Sequence, residues 1–161
     1  MKPSSSLSKP AVIGVYTTLG AAAYAIGFWV LDRNVFLLHA LDAWPVWACV
    51  AAGALAGFAV VGLSRGLEHR AAWARSLSRA MAELFGPLDT STILVLAVFS
   101  AIAEEMFFRG LLQPLIGIVW SSIVFGLLHI GPGRKFLPWT LMAIAMGFGF
   151  GGLFAWTGNL L

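Results

Sequence analysis

Charge is the scarcest ingredient of this sequence. Ten Lys and Arg and seven Asp and Glu make up only 11% of 161 residues. A soluble domain carries about a quarter charged residues, so this composition excludes an ordinary water-facing globular surface. Cysteine is nearly absent too. The single Cys49 excludes an internal disulfide and, inside an apolar run, says nothing about redox compartment. Internal repeats are lacking, as are low-complexity tracts beyond a Ser/Pro-rich start. What fills the chain is hydrophobic: 60% of residues, with a mean hydropathy of +0.89. The expectation is an all-α, polytopic membrane helix bundle, one domain over residues 11–161 after a short disordered tail at Met1–Pro10.

A net charge of +3 and a pI near 9.5 invite a nucleic-acid reading. The basic residues, however, sit in short segments between apolar runs. There they act as topology determinants, and no nucleic-acid partner is expected. The first run, Ala11–Leu31, follows a basic start and has the look of a signal peptide. It is too long for a signal h-region and right for a retained spanning helix, ended by Asp32-Arg33-Asn34. A connector over Val35–Ala43 holds His39 and Asp42, and Trp44 and Trp47 open a second span at Pro45–Leu63 as interfacial aromatics do. Gly53 and Gly57 within it permit close helix contact.

Ser64–Asp89 reads differently. Leu67, Ala74, Leu77, Met81 and Leu84 recur at helical spacing, with Arg65, Glu68, Arg75 and Arg79 on other faces. This pattern predicts an amphipathic helix lying in the lipid interface, or docking on a partner protein. Gly86-Pro87 ends it, and Asp89 is the expected N-cap of a third span, Thr90–Leu112. Gln113-Pro114 is expected to interrupt the chain before a short fourth span, Leu115–Ile130. Gly131-Pro132-Gly133 breaks it again before a fifth, Phe136–Thr157, whose Gly147, Gly149, Gly151 and Gly152 suit close packing. With five spans, Lys2, Lys9, Arg65, Arg70, Arg75, Arg79, Arg134 and Lys135 all fall on one side. The positive-inside rule makes that side the cytoplasm, together with the N-terminus.

The third and fourth spans carry what apolar helices seldom carry. Glu104, Glu105 and Arg109 lie near the end of one, and Phe125 and His129 near the end of the next. An ionisable side chain at the bilayer centre costs on the order of 2.5–3.5 kcal/mol even on mild scales, so such residues seldom occur idly. Glu105 and Arg109, four apart, stack on one helix face, while Glu104 is turned by about 100°. A guanidinium holds its partner carboxylate charged, whereas a desolvated carboxylate beside a like charge becomes a usable base. His129 is placed to share a water with Glu104, which points to attack by activated water on an acyl group. Two other readings stay open on the residues alone: a buried charge network that holds helices together, and an ion or proton path. For Phe125 packing is the plainer role. His39 and His69 read as ordinary interfacial residues.

Glu-Glu-x-x-x-Arg followed by Phe-x-x-x-His, each on a membrane helix, resembles the CPBP family (CAAX protease and bacteriocin-processing, or Abi), whose eukaryotic members trim prenylated CAAX proteins. The likeness covers about Thr90–Leu161. It implies an intramembrane endopeptidase, expected in a bacterial inner membrane, acting on a membrane-associated peptide or protein. In that pattern Glu104 and His129 are catalytic and Glu105, Arg109 and Phe125 support them. Members are often labelled metalloproteases, but one His and two Glu make a thin zinc shell, so no metal or other cofactor is expected. Lipid is the expected surrounding, and the oligomeric state stays open. The family's third motif, His with Asn or Asp four residues on, is not matched: Ala155 stands four before Asn159. The expectation is therefore a shortened member with weak or no activity, or a silent relative that binds a partner as an immunity-type factor.

Overall fold

A computed structural model describes residues 8–32, 35, 44–158 and 160. The Met1–Pro10 tail up to residue 7, the 36–43 connector with His39 and Asp42, the Arg33-Asn34 stop and Asn159 lie outside the described residues. The fold is all-α, with no strand among the described residues. Four of its helices are long and apolar enough to cross a membrane, making this an integral membrane protein.

In chain order these are α1 (Lys9–Ala25), widened into a π turn over Ile26–Val30, and α2 (Val46–Arg70). There follow α3 (Ala72–Phe85) and α4 (Thr90–Glu104), the latter widened into a second π turn over Glu105–Leu112. The chain ends with α5 (Gln113–Leu128), a short 3₁₀ turn at Arg134–Phe136, and α6 (Leu137–Thr157). The described residues form two compact units. The first draws on Met1–Leu37 and Met81–Ser121, the second on Leu38–Ala80 and Ser122–Leu161.

In the first unit α1 packs along α4. Lys9 pairs with Asp89 at 3.4 Å and donates to the Ser91 hydroxyl, so the two helices start at the same end and run parallel. Asp89 caps α4 as expected, accepting from the Thr92 N–H at 2.9 Å and the Thr92 hydroxyl at 2.8 Å. Further along, Gly20 lets α1 approach Ala103 and Met106. Ala23, Val35, Met106 and Leu111 form the buried core beyond it. Gly110 allows a close approach there: a Cβ at this position would lie 3.1 Å from Val35.

In the second unit the end of α5 packs on α6 through glycines. A Cβ on Gly126 would overlap Ile144, and one on Gly147 would lie 2.9 Å from Ser122. Trp44, ahead of α2, meets Trp156, near the end of α6, edge to face.

Three expectations need correcting. The second span does not stop at Leu63. With no breaker at Ser64 the helix runs on to Arg70 and ends at Ala71, whose backbone is extended, while Arg75 donates to the carbonyls of Glu68 and His69 at 3.2 Å each. The amphipathic helix is accordingly shorter, burying Ala74, Leu77 and Ala80 and exposing Arg75 and Arg79. The third and fourth spans are not divided at Gln113-Pro114. The turn before Pro114 bonds from i to i+5, as when the Gln113 N–H donates to the Phe108 carbonyl, so a proline N–H is not needed in the usual register. The break falls at Gly117 instead, with φ 78° and ψ 166°, inside one 38-residue apolar stretch, Thr90–Leu127. Beyond that kink the helix ends at Leu128 and not Ile130, and residues 118–128 reach only about 16 Å, short of a full crossing. Among the described residues four helices are long and apolar enough to cross a membrane, one of them the kinked stretch Thr90–Leu127.

Candidate active site

Glu104 closes the regular part of α4, Glu105 opens the wide turn, and Arg109 sits inside it. The ion pair expected from the spacing is present: Arg109 Nη1 lies 3.1 Å from Glu105 Oε1, with Arg109 only 2% exposed. The π turn alters the rest of the geometry. On a regular helix Glu104 points well away from Arg109, but in a turn bonded from i to i+5, residues 104 and 109 approach one face. Arg109 consequently lies in the field of both carboxylates. Such a wide turn is rare and recurs at functional sites. No periodicity in the sequence announces it.

The residue that sequence reasoning missed is Tyr16. Its phenol, half-buried on α1, hydrogen-bonds the Glu104 side chain. The only signal was a phenol in an apolar span that holds both tyrosines of the chain, Tyr16 and Tyr24. Beside it an apolar groove of about 400 Å³ opens between α1 and α4, lined by Tyr16, Gly20, Tyr24, Val98, Ile102 and Met106 among others.

In the second unit His129 follows the last residue of α5. Its Nδ1 lies 2.7 Å from the Phe125 carbonyl, four residues back. A carbonyl can only accept, so Nδ1 carries a proton, and in the neutral ring Nε2 is then the nitrogen with the lone pair, the arrangement a base or proton carrier needs. The ring stacks at a tilt on Phe125, centroids 4.4 Å apart, and meets the edge of Trp139 at 5.7 Å. The Thr140 hydroxyl donates to the His129 carbonyl at 3.2 Å, satisfying the end of the helix. The structure thus groups Glu104, Glu105, Arg109 and Tyr16 in the first unit, and Phe125 and His129 in the second. His69, at the exposed end of α2, belongs to neither group. Among the described residues no three His, Cys, Asp or Glu side chains gather as metal ligands do.

Residues 86–161 match the family model of the type II CAAX prenyl endopeptidases, Rce1-like. The chain is 38% identical over 78 residues to the uncharacterized protein YpbD of Bacillus subtilis (strain 168), an alignment covering 48% of this chain and 41% of that protein. The chain therefore spans less than half of the curated relative it matches. No solved structure matches it.

Proposed function

On the premise that residues 86–161 belong to the Rce1-like family of type II CAAX prenyl endopeptidases, we propose that the chain is an intramembrane endopeptidase, or the motif-bearing part of one. It hydrolyses a peptide bond of a membrane-associated peptide or protein. Glu104 takes a proton from a water whose oxygen bonds to the scissile carbonyl carbon. His129, with Nε2 as acceptor, shares that water and carries the proton onward. The C–N bond then breaks and the leaving amine receives the proton, giving a carboxylic acid and an amine. Glu105 pairs with Arg109, and Glu104 is the carboxylate assigned to the chemistry. Phe125 orients the imidazole through its carbonyl and ring. The observation that carries this reading is the family match across both motifs, and the Glu105–Arg109 pair is consistent with it.

The experiment is cleavage of a membrane-anchored peptide by the purified chain and by Glu104→Gln. The reading expects the variant to stay folded and lose about 10²–10⁴ in rate. Cleavage unchanged in Glu104→Gln overturns it.

The setting proposed is a bacterial inner membrane with the N-terminus in the cytoplasm, supported by Lys9, Arg65, Arg70, Arg75 and Arg79, which the first two spans leave on one side. The parallel run of α1 and α4 adds that residues 8 and 87 belong on one side. In a Cys49→Ala background, Ser8→Cys and Pro87→Cys should both label from the cytoplasmic face. Labelling from opposite faces contradicts the arrangement.

A further inference from the structure

We infer that Trp139 is a positioning residue for His129: the edge of its indole holds the imidazole in the orientation that places Nδ1 on the Phe125 carbonyl. The inference rests on the proposed role of His129, and it names a residue that lies in neither sequence motif.

The need for such a residue follows from where the histidine stands. His129 lies one position past the end of α5, where its N–H bonds to the Gly126 carbonyl at 3.0 Å. A histidine ring turns about its outer torsion in a broad, roughly two-fold well, so a half-turn exchanges Nδ1 for a carbon. The contact of Nδ1 with the Phe125 carbonyl at 2.7 Å selects one of the two orientations. A single hydrogen bond to a neutral carbonyl adds only a modest net preference. Two ring contacts supplement it. Phe125 lies at 4.4 Å with its plane tilted by 44°, and Trp139 at 5.7 Å and 61°, where edge-to-face aromatic pairs attract. Phe125 belongs to the preceding turn of the same helix. Trp139 comes from α6, so of the two it refers the ring to a second element of the fold.

The chain delivers Trp139 in a fixed register. A Cβ on Gly131 would overlap the Phe136 ring, so the reversal after His129 closes directly over a buried phenylalanine. The Phe136 N–H bonds to the Gly133 carbonyl at 3.1 Å. On the other side Thr140, also buried, donates to the His129 carbonyl at 3.2 Å. Trp139 therefore lies between two anchored residues. It is itself 37% exposed, against 5% for Phe136, so core burial does not account for its place.

The test combines rate with a direct view of the ring. Trp139→Leu and Trp139→Met keep apolar bulk and remove the aromatic edge, while Trp139→Phe keeps an edge. On a membrane-anchored peptide the two aliphatic variants should lose about tenfold in kcat with KM changed less than about threefold. Trp139→Phe should recover most of that loss. The chain has three histidines, so labelling their rings with heavy nitrogen gives a simple magnetic resonance spectrum, with His129→Ala as blank. In alkaline buffer wild type should show a single His129 ring with a hydrogen-bonded Nδ1–H. In the aliphatic variants that signal should broaden or split as both orientations fill, and Trp139→Phe should restore it. Aliphatic variants that keep the wild-type ring spectrum overturn the inference, whether they are slow or not, and assign Trp139 to packing or substrate contact. Failure of both to fold, read by circular dichroism, makes Trp139 a structural residue and overturns it too. A wild-type chain that cuts no peptide overturns the proposed function, while the ring spectra still decide whether Trp139 orients His129.

Discussion

Each motif in this chain contains a contact between residues four apart, and the two contacts are of different kinds. In the first unit Glu105 meets Arg109 side chain to side chain, two opposite charges in a buried turn that needs α1 and Val35 packed around it. In the second unit the Phe125 carbonyl meets the His129 ring, a side chain held by the backbone of its own helix. A helix can supply the second contact alone, whereas the first survives only where neighbouring elements exclude lipid and water and the charges have each other. The same spacing in the sequence thus encodes a packing-dependent device in one region and a self-contained one in the other.

The largest consequence is in stability. Arg109→Ala leaves buried carboxylates without their cation, and the loss should be about 3–5 kcal/mol. His129→Ala removes a half-buried ring and one hydrogen bond to a neutral carbonyl, and should cost about 1 kcal/mol. Equilibrium unfolding in mixed micelles, followed by circular dichroism, measures both. Equal losses would break the distinction between the two motifs.

This contrast also marks how far the sequence could be read. The apolar runs, the Asp89 cap, the Glu105–Arg109 pair and the break at Gly131-Pro132-Gly133 were all legible, because each is a local rule about residue type and spacing. The wide turn at Glu105–Leu112 was not, since no residue pattern marks it and its Gly110 packs against Val35, distant in sequence. Pro114 misled for the same reason: its usual helix-breaking effect depends on a register that the wide turn had already changed. Gly117, where the helix does break, looks like any small residue in an apolar span. Tyr16 was invisible because its meaning lies in α4, some ninety positions away. Helix 2 ran past Ser64 because charge alone does not stop a helix.

A smaller effect separates the two units by pH. The Ser91 hydroxyl, then the Thr92 N–H and hydroxyl, hold the Asp89 carboxyl well below its usual range, with Lys9 adding to them. A carboxylate depressed in the folded state contributes stability that is present in full above its unfolded value, about pH 4, and is lost as the pH falls through the lower folded value. Wild-type protein should therefore lose part of its stability on acidification below about pH 4, and Asp89→Asn should lose less over the same interval. Because Asp89 secures α1 to α4, this change should disturb the first motif and leave the His129 ring contacts with Phe125 and Trp139 as they are. Unfolding midpoints against pH, with near-ultraviolet signals from Trp139, provide the check. An identical acid response in wild type and Asp89→Asn would show that the cap carries no such linkage.

The proposed function assigns Glu104 and His129 to one hydrolytic reaction. A double-mutant cycle in kcat/KM tests it most directly, using Glu104→Gln, His129→Ala and the two together on one membrane-anchored peptide. Residues that act as a unit are grossly non-additive. The account predicts that each single change costs about 10²–10⁴ and that the double variant is no slower than the worse single, within about threefold. Losses that multiply in the double variant would show two independent contributions and contradict the proposed joint role.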